Sequence, residues 1–332
     1  MKSRTGIIMA FLIVLTAVLF VADLAVGSAG LSLSEVWKAL FGSDTSSINA
    51  KIVREIRLVK ALAAVFAGVA LPVAGLMMQT LFHNPLAGPY VLGISSGASL
   101  GVALCILGMP LIAGNSVLSA VSIAGAAWAG AASMLAVIAV ASLRIKNIMV
   151  ILILGMMLSS GVSAVVQILQ YLSDEQSLKS FVLWTMGSLG DVTFSQMKIM
   201  VPTILCGLIL AFLSVKSLNL MLLGDNYART TGLDIRRARN LVFIATTLLA
   251  GTVTAFCGPV GFIGLAVPHV AGIIFKSADH RILLPASALT GASVLLACDM
   301  ISKLFALPVN AITALLGIPI VIRIVVNNKS II

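Results

Sequence analysis

Residues 83–101 read HNPLAGPYVLGISSGASLG, and residues 258–269 read GPVGFIGLAVPH. Each is an apolar run broken by Gly and Pro. Each follows an apolar stretch long enough to cross a bilayer, residues 58–79, with Lys60 near its start, and 241–257. Counted along the chain, those two stretches cross in opposite senses. Broken apolar backbone at corresponding positions of two oppositely oriented blocks is the pattern of an inverted repeat around a translocation pathway. The physical reason is that unpaired backbone is tolerated at membrane depth only inside protein or beside water. Gly and Pro that merely kink packed helices would give the same local pattern, so at this level both readings stand.

Outward from these segments the chain is apolar almost throughout. Hydrophobic residues make up 60% of the 332 and charged residues 10%, against roughly 45–50% and 25% in globular domains. No water-soluble core could cover that much apolar surface, which excludes a cytoplasmic enzyme, a secreted disulfide scaffold and a disordered chain. Apolar stretches with at most one charge, near an end, give spans at about 6–26, 58–79, 91–112, 117–142, 147–171, 199–215, 241–257, 265–275, 282–300 and 309–326. The reading is an all-α polytopic membrane protein of about ten transmembrane helices, one domain over 1–332, with spans 2–5 and 7–10 as the inverted repeat. An even number of spans puts both termini on one side. With that side cytoplasmic, thirteen basic and three acidic residues fall inside and eight of each outside. The excess positive charge then lies inside, as orientation requires. The N-terminal MKSRTGIIMAFLIVLTAVLF resembles a signal peptide, but the LAVGSAG that follows is a weak cleavage site, so a retained first span is expected. The basic cluster Arg236, Arg237 and Arg239 has no interleaved aromatics, so nucleic acid is not an expected partner.

Cys105, Cys206, Cys257 and Cys298 lie singly in apolar segments without C-x-x-C spacing, so buried small hydrophobes are expected, not zinc or redox ligands. The pairs Met77/Met78 and Met156/Met157 read as gap-filling core side chains. None of the 11 acids falls near the centre of a span. Asp23 and Asp299 lie near outer ends, and no Lys, Arg or His is central, whereas an ion-coupled transporter usually keeps such a group within the membrane. No Gly-Lys dipeptide occurs, so there is no P-loop. A transporter with neither takes its energy from another subunit, as the membrane part of an ATP-driven complex does. An ion-coupled secondary transporter is the alternative. A polytopic membrane enzyme is a distant third, for want of a His, Asp or Cys cluster at one depth. The longest cytoplasmic connection, Lys216–Asn240, carries an N-cap-like Asp225 and a Gly232 between two short helical stretches. It reads either as a seat for an ATPase or as a solvated loop. At the outer mouth of the second span Arg54, Arg57 and Lys60 follow an i, i+3, i+6 pattern, and Lys303 ends the ninth. Exposed cations there suit an acidic partner or anionic solute, with snorkelling to lipid headgroups as the alternative.

On these residues the chain resembles the FecCD family, the permease subunits of type II ABC importers for iron-siderophores, haem and cobalamin. The likeness runs from about Arg57 to the C-terminus through GLMMQTLFHNPLAGPYVLGISSGASLG (75–101), WTMGSL (184–189), LGDNYARTTGLDIRRAR (223–239), GPVGFIGLAVPH (258–269), DHRILLPASALTGA (279–292) and LPVNAITALLGIPI (307–320). The resemblance implies the type II ABC importer permease fold, in a bacterial inner membrane. It implies a homodimer with the pathway on its axis, two cytoplasmic ATPase subunits and an extracytoplasmic solute-binding protein. Neither catalysis nor a cofactor is expected of this chain. The favoured cargo is an iron-siderophore, with haem and cobalamin open, because His83, His269 and His280 all fall at or near the inner side. The same resemblance implies a gate and pathway at Asn84, Pro85, Leu86, Gly93, Ser95, Ser96, Gly97, Gly258, Pro259 and Gly261, with a poorly matching second layer around Asn147–Met149. It implies ATPase coupling within Gly224–Arg239 through Asp225, Ala228, Arg229, Gly232, Leu233 and Arg236, and binding-protein docking at Arg57, Lys60 and Lys303. Two docking arginines of the family are lysines here and its proline is Val59, which keeps charge and gives up bidentate pairing. Gly88, Gly272 and Ala306 stand where the family usually carries an acid, an arginine and a glutamate.

Overall fold

The computed structural model describes residues 2–27, 30–42, 47–108, 120–145 and 147–327, and among them every regular element is helical. The helices are α1 Lys2–Ala25, α2 Leu33–Phe41, α3 Ile48–Phe82, α4 Ile94–Gly108, α5 Ala120–Arg144, α6 Ile148–Leu172, α7 Glu175–Thr185, α8 Phe194–Leu213, α9 Val215–Met221, α10 Asp225–Thr230, α11 Ile235–Cys257, α12 Ile263–Phe275, α13 His280–Phe305 and α14 Val309–Asn327. Seven (α1, α3, α5, α6, α8, α11 and α13) are long and apolar enough to cross a membrane, and α4, α12 and α14 are shorter apolar helices. Each expected span thus has a helix. The connection expected between the third and fourth spans, and the inner cations Lys146 and Lys329, lie outside the described residues.

The differences are at helix ends. α3 begins at Ile48 and α11 at Ile235, both well before the apolar stretch. Charge marks where a helix leaves hydrocarbon and does not stop it. At 1.5 Å per residue α3 is about 52 Å long, so its first third stands beyond a hydrocarbon layer of about 30 Å.

α3, α11 and α13 are largely buried, whereas α1 and α6 lie mostly on the surface. α3 packs on α13 and its counterpart α11 packs on α5; α4 packs on α5 and α6, and its counterpart α12 on α13 and α14. The pairings of one block recur in the other, which is the inverted repeat expressed as packing. Where α3 crosses α13, a Cβ on Gly68 or on Gly291 would collide with the carbonyl oxygen of the other, and Gly97 on α4 meets Gly130 on α5 in the same way. Close backbone approach replaces the hydrophobic drive that lipid cannot supply. Gly97, expected in the pathway, thus lies where α4 crosses α5. Met77 and Met78 are core residues as expected, but Met156 and Met157 are half to two-thirds exposed on α6. Cys206 on α8 is likewise exposed, while the other three cysteines are buried. In both cases an apolar side chain needs no burial on a face that meets lipid or another chain.

Candidate functional site

α3 ends at His83, whose left-handed backbone (φ 48°) turns the chain. Asn84 Oδ1 then accepts from the Leu86 N–H at 2.9 Å, an Asx turn around Pro85. The Pro85 carbonyl accepts from His269 Nε2 of α12 at 2.7 Å, and the Met221 carbonyl of α9 from His83 Nε2 at 2.8 Å. The Asn84-Pro85-Leu86 turn is thus braced on both sides. Gly93 (φ 78°) starts α4, with Ser95 and Ser96 half-buried in its first turn. In the other block Gly258 (φ 71°) ends α11, Pro259 follows, and the Gly261 N–H donates to Asn310 Oδ1 of α14 at 2.9 Å. The two broken segments meet inside the protein. Tyr90 OH donates to the Val260 carbonyl at 3.2 Å, and Pro89 lies against Gly264.

Beside them α6 exposes Ser160, Ser163, Gln167 and Tyr171, which fall on one stripe at helical spacing. Its inner half continues that stripe with Met149, Ile153 and Met156. Its counterpart α14 exposes Leu315, Leu316, Ile318, Ile322 and Val326 instead. A row of hydroxyl and amide groups is costly toward lipid, so that face of α6 belongs against water or protein. The stripe could have been read from the serine, glutamine and tyrosine spacing in 160–171. Asn147 caps α6, its Oδ1 accepting from the Met149 N–H at 2.9 Å.

At the inner face α10 and α11 are joined by a turn at Gly232 (φ 86°), as the punctuation required. The caps differ from expectation. Gly224 precedes α10, and Asp225 is instead ion-paired with Arg239 on α11, while Asp234 caps α11 by accepting from the Arg237 N–H at 3.1 Å. Ala228 is buried beneath, and its carbonyl accepts from the Leu233 N–H at 3.1 Å. Arg229, Arg236 and Arg239 line a cavity of about 220 Å³ against the end of α5, where Arg236 donates to the Leu143 carbonyl at 3.3 Å.

A second inner web was not legible in the sequence, because no local pattern joins its members. Asn219 Oδ1 on α9 accepts from His280 Nδ1 at 2.8 Å, its amide donates to Asp279 Oδ1 at 2.7 Å, and His280 Nε2 meets Thr80 Oγ1 of α3 at 2.7 Å. The Arg281 backbone N–H and the Asn219 amide hold the Asp279 carboxyl below the usual carboxylate range. All three histidines are therefore engaged at the end of the molecule that carries α9. Among the described residues no group of His, Cys, Asp and Glu is gathered to hold a metal ion.

At the outer mouth the cations are not the exposed charges expected. Arg57 is 5% exposed and donates through Nη1 to the Leu24 and Ala25 carbonyls, both at 3.0 Å. Arg54 binds the Ala39, Leu40 and Gly42 carbonyls at the end of α2. Lys60 pairs with Asp299 at 3.1 Å; Lys303 pairs with Asp299 at 2.9 Å and with Asp23 at 2.7 Å. Both aspartates are fully buried. Charge removed from water must be paired, and α1 and α13 carry the acids that do it. Arg57, Lys60 and Lys303 nevertheless line one cavity of about 380 Å³ with Gly27 and Ser302.

Comparison with known proteins matches residues 15–327 to the FecCD transport family. The hemin transport system permease protein HmuU of Yersinia pestis is 35% identical over 332 residues, covering 99% of this chain and 98% of its own. The vitamin B12 import system permease protein BtuC of Vibrio cholerae is 36% identical over 307 residues, covering 90% and 89%. A solved inward-facing structure of a metal-chelate type ABC transporter superposes with a TM-score of 0.83 at 28% identity, over 95% of this chain and 97% of that one.

Proposed function

We propose that this chain, which belongs to the FecCD transport family, is one half of a homodimeric permease in an ATP-driven importer that carries a metal chelate inward across a bacterial inner membrane, both termini cytoplasmic. The observation that carries the reading is the meeting of the two broken segments at Tyr90 and Val260 beside the polar stripe of α6. That arrangement supplies irregular backbone and hydroxyl groups along a route through apolar protein. An iron-siderophore is the favoured cargo. Relatives are named for hemin and vitamin B12, but here the histidines are bound near the cytoplasm and α6 offers only uncharged polar groups.

The same reading gives a transport cycle, which the contacts support. ATP binding draws two ATPase subunits together beneath α10, through Arg229, Arg236 and the turn at Gly232. The Asp225–Arg239 pair makes α10 and α11 move as a unit. α9 passes the displacement to the gate through Met221 and His83 and to α13 through Asn219. The Asn84-Pro85-Leu86 turn then changes which side is open. A solute-binding protein docks by acidic side chains over Arg57, Lys60 and Lys303. In liposomes containing the chain and its ATPases, chelate uptake is expected to follow internal-site ATP and to survive a protonophore. Uptake that collapses with the proton gradient while ATP is irrelevant would favour the ion-coupled alternative. The chain alone is expected to hydrolyse no ATP.

A further inference from the structure

The cavity of about 220 Å³ at the end of α5 gathers three guanidinium groups, Arg229 from α10 and Arg236 and Arg239 from α11. Among the described residues no acid lines it, and Asp225 pairs with Arg239 alone of the three. Two positive charges are left in excess. Arg239 is 8% exposed, whereas Arg229 and Arg236 are open to the surroundings. Arg236 donates to the Leu143 carbonyl at 3.3 Å, which uses one of its five N–H groups. Two apolar stripes lead from this cavity into the expected spans. On α5, Val137, Val140 and Leu143 are exposed at intervals of three, on one face of the helix. On α11, Arg236, Asn240 and Ile244 follow at intervals of four, and Ile244 is exposed between the buried Phe243 and Ala245. The order along α11 is cation, amide, hydrocarbon, and α11 packs on α5.

We propose that this is a site for one anionic phospholipid, its phosphate held by Arg229, Arg236 and Arg239 and an acyl chain laid along Val137, Val140 and Ile244. Basic pockets where helices leave the bilayer suit anionic headgroups, and the guanidinium fork matches phosphate oxygens two at a time. The excess charge calls for an anion, and the stripes call for hydrocarbon. An acidic side chain of a docking ATPase, or a soluble phosphate, would satisfy the arginines and leave both stripes bare. A phospholipid supplies both halves in the right order. Bound there, its headgroup bridges the end of α5 to α10 and α11 and holds that segment at the membrane surface. Its bearing on ATPase coupling rests on the function proposed above, whereas the site itself does not.

The test uses the full chain in detergent and reads the dissociation constant of dioctanoyl phosphatidylglycerol, with dioctanoyl phosphatidylcholine and inorganic phosphate as references. Phosphatidylglycerol is expected to bind more tightly than either. Arg229→Gln with Arg236→Gln should weaken it by about tenfold for each guanidinium lost and leave phosphatidylcholine unchanged, which also reports that the variant folds. The Asp225–Arg239 pair stays in place in that variant. Arg237→Gln removes a cation of the same helix that does not line the cavity, and its effect should stay within about twofold. Equal affinity for the two lipids, or an equal loss in Arg237→Gln, overturns the site. Inorganic phosphate binding as tightly as the lipid overturns the role of the stripes and with it the lipid. Release of bound phosphatidylglycerol on adding the ATPase subunits assigns the arginines to that partner and overturns the proposal, while leaving the coupling role of the segment in place.

Discussion

At the outer mouth Asp23, Lys60, Asp299 and Lys303 come from three helices and meet out of water; at the inner face Asp234 caps α11 and pairs with Arg237 three residues on, with the Arg237 side chain 90% exposed. The first arrangement ties distant parts of the chain together and fails if one member is lost. The second is local, wet and nearly independent of the fold. If an ATPase docks there as proposed, the surface it presses on needs charges that are free to rearrange. A clasp that holds three helices needs charges that are not.

The largest effect should come from the clasp. Lys303→Met leaves the buried Asp23 without its cation and the buried Asp299 with Lys60 alone, and breaking a buried pair in this way costs about 3–5 kcal/mol. Thermal unfolding of the detergent-solubilised chain should fall steeply; a shift no larger than that of a surface substitution would erase the contrast between the two ends. The inner web should give an intermediate result. Asn219→Ala removes partners from His280 and Asp279, and leaving buried polar atoms unsatisfied costs about 1–3 kcal/mol. A value near zero would mean that water already substitutes for the amide.

What could be read in the sequence follows the same division. The spans, the inverted repeat and the Gly232 turn depend on composition and punctuation within a few residues, and each is present. Asp299 and Lys303, four apart on one helix, were also a readable pair. Asp23 with Lys303 was not, because 280 residues separate them and only the packing of α1 on α13 joins them. The same holds for Thr80 with His280, and for Tyr90 with Val260. Exposure was the least legible property. Positive charges at an outer mouth look solvent-facing until the acids that neutralise them are placed, and methionines look like core until their helix proves to lie at the surface.

At the inner face the effects should be small and ordered. Asp234→Ala removes the cap of α11 at a cost of about 1 kcal/mol, while Arg237→Ala, which deletes the exposed partner of the same aspartate, should stay within about 0.5 kcal/mol. Equal losses would mean that the ion pair, not the cap, holds the helix start.

The smallest effect is one of pH. The Arg281 backbone N–H and the Asn219 amide lower the Asp279 pKa from its ordinary value of 3.8. A carboxyl whose folded pKa is depressed contributes stability that is complete above the ordinary value and is lost as pH falls through the folded one. The exposed carboxyls of Glu35 and Asp174, lowered by the Ser32 and Ser177 backbone N–H groups, behave alike on the outer side. All three should steepen the acid limb of a midpoint-against-pH curve. Asp279→Asn isolates the inner contribution, because its amide oxygen can still accept from the backbone but cannot titrate. The gap between natural chain and variant should therefore be constant near neutrality and close on acidification below about pH 4. A gap of fixed size down to pH 3 would mean that the Asp279 charge contributes nothing and that the helix start is held by hydrogen-bond geometry alone.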